Sequence, residues 1–281
     1  MTNEYGNELL HKVLLSAMKD IDKICRENGL RYYLHAGTLL GAFNHKGFIP
    51  WDDDVDISMP ASDYKQLVDI LERDYSNKYF VETFDNTESH FSKLNKFRIN
   101  GAQVVYTNGI RESVFIDLSV FHHAPNENFA RKIQAGQLRF WDIVLSVKKG
   151  EIKPSSIISK LVFLPFSQLS KRYIGRSMDS IMTRYDNKKT DYYALMIHHL
   201  PNPYTGTNGY LNDCVPVEIC ENPKFIDFED TQFMVYSDPE RDLIHRYGKD
   251  YYKPYPVEKR ISKHGIVNYE LTQELKDRLG L

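Results

Sequence analysis

The stretch HAGTLLGAFNHKGFIPWDDDVDI, residues 35–57, sets a small-residue turn shortly before four acids in five positions. Gly37-Thr38 leads from the aromatic run LRYYLHA (30–36), which reads as a strand, into TLLGAF (38–43), about two helical turns at most. The acids are Asp52, Asp53, Asp54 and Asp56, and the last two belong to DVDIS (54–58), a second short strand. Strand residues two apart share a face, so Asp54 and Asp56 fall on one side, with Val55 and Ile57 on the other, toward a core. Two carboxylates about 4 Å apart repel by ~4 kcal/mol at an effective dielectric near 20. Acids on a loop escape this cost by splaying into water, which suits Asp52 and Asp53 after Pro50-Trp51. Acids held on a strand do not, and a hard divalent cation with oxygen ligands removes the repulsion. Mg²⁺ suits two carboxylates plus substrate phosphates, whereas zinc would want His or Cys ligands and calcium a larger oxygen cage. Spacing alone leaves open both a metal site and a solvated acidic turn.

Neighbouring residues tilt the balance toward phosphate chemistry. Backbone N–H groups at Gly37-Thr38, where a strand gives way to a helix, can face an anion, and Lys46 adds positive charge. An acid-bearing strand opposite an N–H-lined turn is the layout expected for phosphoryl transfer from a nucleotide. A third acid, Asp117, stands alone in the apolar strand SVFIDLSVF (113–121), where a charge is costly without a partner. The alternative for Asp117 is a buried carboxylate satisfied by backbone donors. Lys96 and Arg98 share a strand face, either as a phosphate clamp or as partners of surface acids. Near the C-terminus, Arg260 or Lys259 could hold phosphate. Tyr251, Tyr252 and Tyr255 could enclose a quaternary ammonium by cation–π contact, or simply pack as a tyrosine-rich tail. The pairs His122-His123 and His198-His199 point apart on any regular backbone and suggest no zinc site.

The 281 residues as a whole read as a folded protein of enzyme size: 42% hydrophobic, 26% charged, with a formal net charge of -2. That balance provides no global attraction to nucleic acid, and no nucleic-acid partner is expected. Cys25, Cys214 and Cys220 form no CxxC or metal-like spacing and read as free thiols. The start MTNEYGNELLHK lacks the basic and apolar regions of a signal peptide, and no stretch approaches ~18 apolar residues, so a cytoplasmic location is expected. Helices are predicted over 8–28, over SDYKQLVDILERDY (62–75) with Ser62 as N-cap, and through most of 129–186. Strands are predicted at KYFVETF, KLNKFRI, AQVVYT and SVFIDLSVF. KFIDFEDTQFMVYS (224–237) reads as a hairpin turning at Glu229-Asp230, followed by a short helix ended by Gly248. The fold class is therefore α+β, a sheet core with a helical insertion and a C-terminal hairpin and helix.

GTLLGAFNHKGFIPWDDDVDI resembles the signature of the LicD family, which includes the fukutin-related proteins. FIDLSVF resembles that family's third acidic strand, and KFIDFEDTQFMVYSDPERDLIHRYGKDYYKPYPVEKR resembles its C-terminal segment. The chain departs from the pattern at Asn44, where relatives are often basic, and where the third acidic strand runs into His122-His123. The resemblance implies a nucleotidyltransferase-like mixed sheet in one catalytic domain over 1–281. Within it, 1–124 would form the core, 125–220 a helical region facing the acceptor or a membrane, and 221–281 a segment returning to the core. It further implies transfer of phosphocholine, or a similar phospho-alcohol, from CDP-choline or another CDP-alcohol to a hydroxyl of a cell-surface glycan or its polyprenyl-linked precursor. Mg²⁺ or Mn²⁺ would be held by Asp54, Asp56 and Asp117, with Asp117 also the base for the acceptor hydroxyl, and Gly37 and Thr38 would contact donor phosphate. Transfer of the nucleotide itself, or a non-catalytic glycan-binding role, are the competing readings. Residues 148–176 have seven Lys/Arg against one Glu around LVFLPF. This segment fits either peripheral contact with an anionic membrane or an ordinary helical layer.

Overall fold

The computed structural model describes residues 5–195, 210, 214–260 and 266–281. They divide into two units, one of 1–82, 94–120 and 220–281, the other of 83–93 and 121–219. The helical unit thus includes 83–93, a segment that the sequence suggested would stay with the core.

The first unit opens with helix α1 (Glu8–Glu27), whose buried face is Leu10, Val13, Leu14, Ala17, Ile21, Ile24 and Cys25, the face predicted by its period. Strand β1 (Tyr33–Leu34) pairs antiparallel with β2 (Asp56–Pro60), and helix α2 (Ala36–His45) fills the connection between them. Helix α3 (Ala61–Asp74) has Pro60 rather than Ser62 at its N-cap, because β2 runs two residues further than expected, to Pro60. Ser62 instead hydrogen-bonds the Asp63 carboxylate. Strands β3 (Tyr79–Glu82), β4 (Asn95–Tyr106) and β5 (Arg111–Ala124) follow. The two predicted strands around Gly101 are the single strand β4, whose register to β5 breaks between Arg98 and Gln103. Gly101 has φ +84° and absorbs that break.

In the second unit, helices α4 (Asn128–Lys149), α5 (Ile157–Ser167) and α6 (Lys171–Met182) lie beside a small ladder. The end of β5 pairs there with β6 (Tyr192–Leu195), which pairs with β7 (Cys214–Pro216). Phe84, Leu138, Val144, Leu145, Ile174 and Met178 form its core. A Cβ on Gly175 would meet the Phe84 ring at 2.4 Å, so only glycine allows that approach. His122 and His123 do point apart: one ring meets Asp186, the other Thr190. His198-His199 lie outside the described residues.

After the short helix α7 (Glu218–Glu221), the chain forms the hairpin β8 (Lys224–Phe228) and β9 (Thr231–Val235), turning at Glu229 with φ +53°. Helix α8 (Pro239–Tyr247) is capped by Asp238 and ends at Gly248. Strand β10 (Ile266–Leu271) joins the free edge of β4, before helix α9 (Gln273–Leu279). The main sheet of this unit therefore runs β1-β2-β5-β4-β10, with β3 also on β4. Its buried residues include Leu39, Val55, Met59, Phe97, Ile99, Ile116 and Leu118. The α+β class expected from the sequence is the class observed.

Candidate active site

The three central strands bring the remote acids together. The Asp117 N–H on β5 donates to the Val55 carbonyl at 2.8 Å, so Asp117 lies beside the residue that separates Asp54 from Asp56. On its other side Asp117 faces Lys96 of β4 in direct register. Asp53, Asp54, Asp117, Lys96, Tyr106 and Phe115 are among the residues around one cavity of about 210 Å³. The Lys96 ammonium sits 3.4 Å from the centre of the Phe115 ring, which holds the cation within that cavity.

The acid loop is not divided as strand geometry suggested. β2 begins at Asp56, so Asp54 still belongs to the loop, and carboxylate oxygens of Asp52, Asp53 and Asp54 all lie within 4.8 Å of one another. Asp52 and Asp53 are therefore members of the cluster as well as of the turn. Desolvation pushes the Asp56 carboxyl well above the ordinary carboxylate range, and the charges of Asp54, Asp117 and Asp52 push it further. Arg246 of α8, itself buried, acts in the opposite sense. It also pairs with the buried Asp242 at 3.5 Å.

Gly37 and Thr38 seat this loop. A Cβ at Gly37 would stand 3.0 Å from Asp52 Oδ2, so the carboxylate rests against the first turn of α2, where the helix dipole favours a negative charge. Thr38 Oγ1 accepts the Asp56 N–H at 2.9 Å. The first turn of α2, expected to lie against a phosphate, thus has the Asp52 carboxylate beside it here.

Other predicted site residues lie apart from the cavity. Lys46 takes a left-handed conformation at the end of α2, which turns it toward β8–β9, where it lines a separate depression with Lys23 and Arg26. Arg98 is bound by the buried Glu82, at 2.5 and 2.6 Å, and donates to the Ser113 carbonyl. Glu82 stands opposite Lys96 in the register of β3 on β4 and reaches diagonally to Arg98, which makes Arg98 part of an internal ion pair, not a phosphate clamp. The Arg260 guanidinium lies 5.1 Å from the Trp51 ring and donates to the Tyr255 carbonyl. It flanks the acid loop without lining the cavity. The three tyrosines form no common cage: Tyr255 stacks on Trp51, whereas Tyr251 meets Phe43 and Tyr252.

Several residues that hold the loop are remote in sequence. The Asp52 carbonyl accepts from Asn7 Nδ2 at 3.0 Å and meets His11 Nε2 at 2.8 Å, while the His11 ring stacks on Phe48 at 4.2 Å. Burial lowers the His11 pKa. The Glu229 N–H donates to the Lys46 carbonyl, and its carboxylate accepts the Phe48 N–H at 3.1 Å. Tyr236, stacked on Tyr33, shares a hydrogen bond with Ser58 of β2 at 2.9 Å. Only the hairpin pattern hinted at these partners. The acidic turn at Glu229 is visible in the sequence, its target is not.

A sheet that presents carboxylates from adjacent strands beside a lysine and a helix N-terminus is the framework of a nucleotidyltransferase-like domain. Residues 29–172 match the sequence model described as LicD/FKTN/FKRP, nucleotidyltransferase domain. The chain belongs to that family. It is 27% identical over 264 residues to the lipopolysaccharide cholinephosphotransferase LicD of Haemophilus influenzae, covering 90% of this chain and 93% of that protein. A shorter similarity, 43% over 58 residues, covers 21% of this chain and 22% of the uncharacterised protein RP689 of Rickettsia prowazekii. Among solved structures, an antigenic nucleotidyltransferase-like protein from Paracoccidioides brasiliensis pairs with 63% of this chain and 88% of its own. That pairing has 11% identity and a TM-score of 0.24, too low to bear on the fold.

Proposed function

We propose that this protein moves phosphocholine, or a similar phospho-alcohol, from a CDP-linked donor to a hydroxyl of a cell-surface glycan or its lipid-linked precursor, working at the cytoplasmic side. The observation that carries this reading is the convergence of Asp53, Asp54, Asp117 and Lys96 on one cavity. Family membership and the similarity to a lipopolysaccharide cholinephosphotransferase over nearly its whole length support it. An all-carboxylate donor set, with Asp56 raised by burial and then by the charges beside it, fits a hard divalent cation such as Mg²⁺ or Mn²⁺. Asp54, Asp56 and Asp117 would hold it, with Asp52 and Asp53 close by. When bound, such a cation offsets the charge of the donor diphosphate and of the departing CMP.

The chain's own residues supply the rest. A cavity of about 210 Å³ suits the diphosphate end of the donor more than a whole nucleotide, since pockets for drug-sized ligands start near ~300 Å³. Lys96 binds a phosphate oxygen there and holds the reacting phosphorus beside Asp117. Asp117 takes the acceptor hydroxyl's proton as the new phosphorus–oxygen bond forms and the bond to CMP breaks. Gly37, Thr38 and Glu229 keep the acid loop in place.

The test is a panel of CDP-alcohols with Mg²⁺ or Mn²⁺, scored for CMP with and without a lipid-linked glycan. Acceptor-dependent CMP release from CDP-choline, lost in Asp117→Asn, is the expected result. Pyrophosphate release from a nucleoside triphosphate, with no CMP from any CDP-alcohol, would instead establish nucleotidyl transfer.

A further inference from the structure

Helix α5 presents an apolar surface that its own unit leaves uncovered. Ile157, Ile158 and Leu161 are 72–77% exposed, and Val162, Leu164 and Phe166 are exposed as well. At 100° per residue these six occupy an arc of roughly 200°. On the opposite side Phe163 packs against the helical core and Ser167 is buried, and Phe166 at the rim of the arc meets Phe140 and Trp141, so the helix is seated along that side while Ile157, Ile158 and Leu161 stay uncovered. Its start is fixed by a reciprocal capping box between Ser156 and Ser159, which makes the exposed surface a formed helix.

The surrounding charge has one sign. Lys153, Lys160, Arg172 and Arg176 are exposed and, among the described residues, have no acidic partner. The segment's single acid, Glu151, is held by Lys149, and Lys171 is not available, since it donates to the Thr87 carbonyl at 2.6 Å. No helix among the described residues is long and apolar enough to cross a membrane, and α5, with 11 residues, is about 16 Å long. A wide apolar arc on a short helix, ringed by cations, is suited to lying in the headgroup region of a bilayer.

We infer that α5, with Lys153, Lys160, Arg172 and Arg176, docks this protein on an anionic lipid surface. The apolar residues enter the acyl boundary while the cations meet lipid phosphates, each cation worth roughly a fivefold gain in partitioning. A protein partner of this helix would need acids matching four cations and a groove accepting a 200° arc, which a fluid anionic surface offers without further design.

The test is cosedimentation of the full chain with phosphatidylcholine vesicles, with and without phosphatidylglycerol, at low and high salt. Binding is expected only with phosphatidylglycerol, weakening as salt rises. Ile158→Asp with Leu161→Asp should lower it on the order of 100-fold with an unchanged Tm, since both positions are exposed. Lys153→Glu with Lys160→Glu should lower it more than tenfold. Protein remaining in the supernatant with anionic vesicles at low salt would overturn the inference, as would unaltered binding by the Ile158/Leu161 variant. A dimer by light scattering that this variant dissolves would show that a second copy covers the helix, which also overturns it. None of these readouts depends on the donor or the reaction.

Discussion

Asp54→Asn measures the electrostatic cost of the acid cluster directly. In the parent, one Asp54 oxygen lies within 4.8 Å of oxygens from both Asp52 and Asp53, and its charge also acts on Asp56. Two like charges at 4.8 Å repel by ~3.5 kcal/mol at an effective dielectric near 20, and by ~1 kcal/mol in water. The three side chains are partly exposed, so the lower figure governs each pair, and Asn removes two of them. Without divalent cation, the variant should be more stable than the parent by about 1–3 kcal/mol, opposite in sign to most substitutions at a packed position. With Mg²⁺ at a hundredfold excess over its Kd the parent should gain about 2.7 kcal/mol, and the variant little of it. Urea denaturation in EDTA and in excess Mg²⁺, followed by tryptophan fluorescence, supplies every term. A variant less stable than the parent in EDTA, or an equal Mg²⁺ shift in both proteins, would refute the reasoning. The same cluster predicts a pH dependence. Because the folded Asp56 carboxyl sits above its unfolded value of about 3.9, the folded state holds the extra proton between those two values. Stability of the cation-free protein should therefore fall as pH rises through that window and level off above it, and Asp56→Asn should flatten this slope.

Gly37→Ala places a methyl group 3.0 Å from Asp52 Oδ2. The carboxylate must shift by a few tenths of an ångström, so Mg²⁺ affinity by calorimetry should weaken while stability changes by less than ~1 kcal/mol. Glu229→Ala removes the acceptor of the Phe48 N–H and should cost about 1–3 kcal/mol in urea, with a parallel loss of CMP release; stability equal to the parent would count against the strut role. Arg246→Met leaves Asp242, 2% exposed, without its paired cation, and should cost about 3–5 kcal/mol in thermal unfolding. Adding Asp242→Asn to that variant should restore much of the loss, and failure to do so would show that the pair is not the source.

Much of the candidate site was legible because its signals are local. The period of α1, the strands on either side of Gly37-Thr38, and Asp117 isolated in an apolar strand all rest on patterns within a few residues. The crowding of Asp52, Asp53, Asp54 and Asp56 could be read the same way. What misled was the strand start: one short segment cannot show that β2 begins at Asp56, and the split of the cluster depended on it. Lys96 and Arg98 looked equivalent two residues apart. Their fates differ through the side chains they meet: Glu82 of β3, in register with Lys96, reaches diagonally to pair with Arg98, while Lys96, opposite Asp117 on β5, lies over the Phe115 ring.

By itself, then, the sequence determined the α+β class, the family signature, the acids and the hairpin that follows them, since period, spacing and turn residues act over short range. Tertiary structure alone decided which charges meet. It put Asp117 beside Val55, set Arg246 against Asp56, and turned Lys46 away to the hairpin. It also made Glu229 and His11, 181 and 37 residues from Phe48 along the chain but in contact with it in space, the supports of the acid loop. The physical reason is that Coulomb and hydrogen-bond energies depend on distance through space, and strand pairing, not chain position, sets those distances.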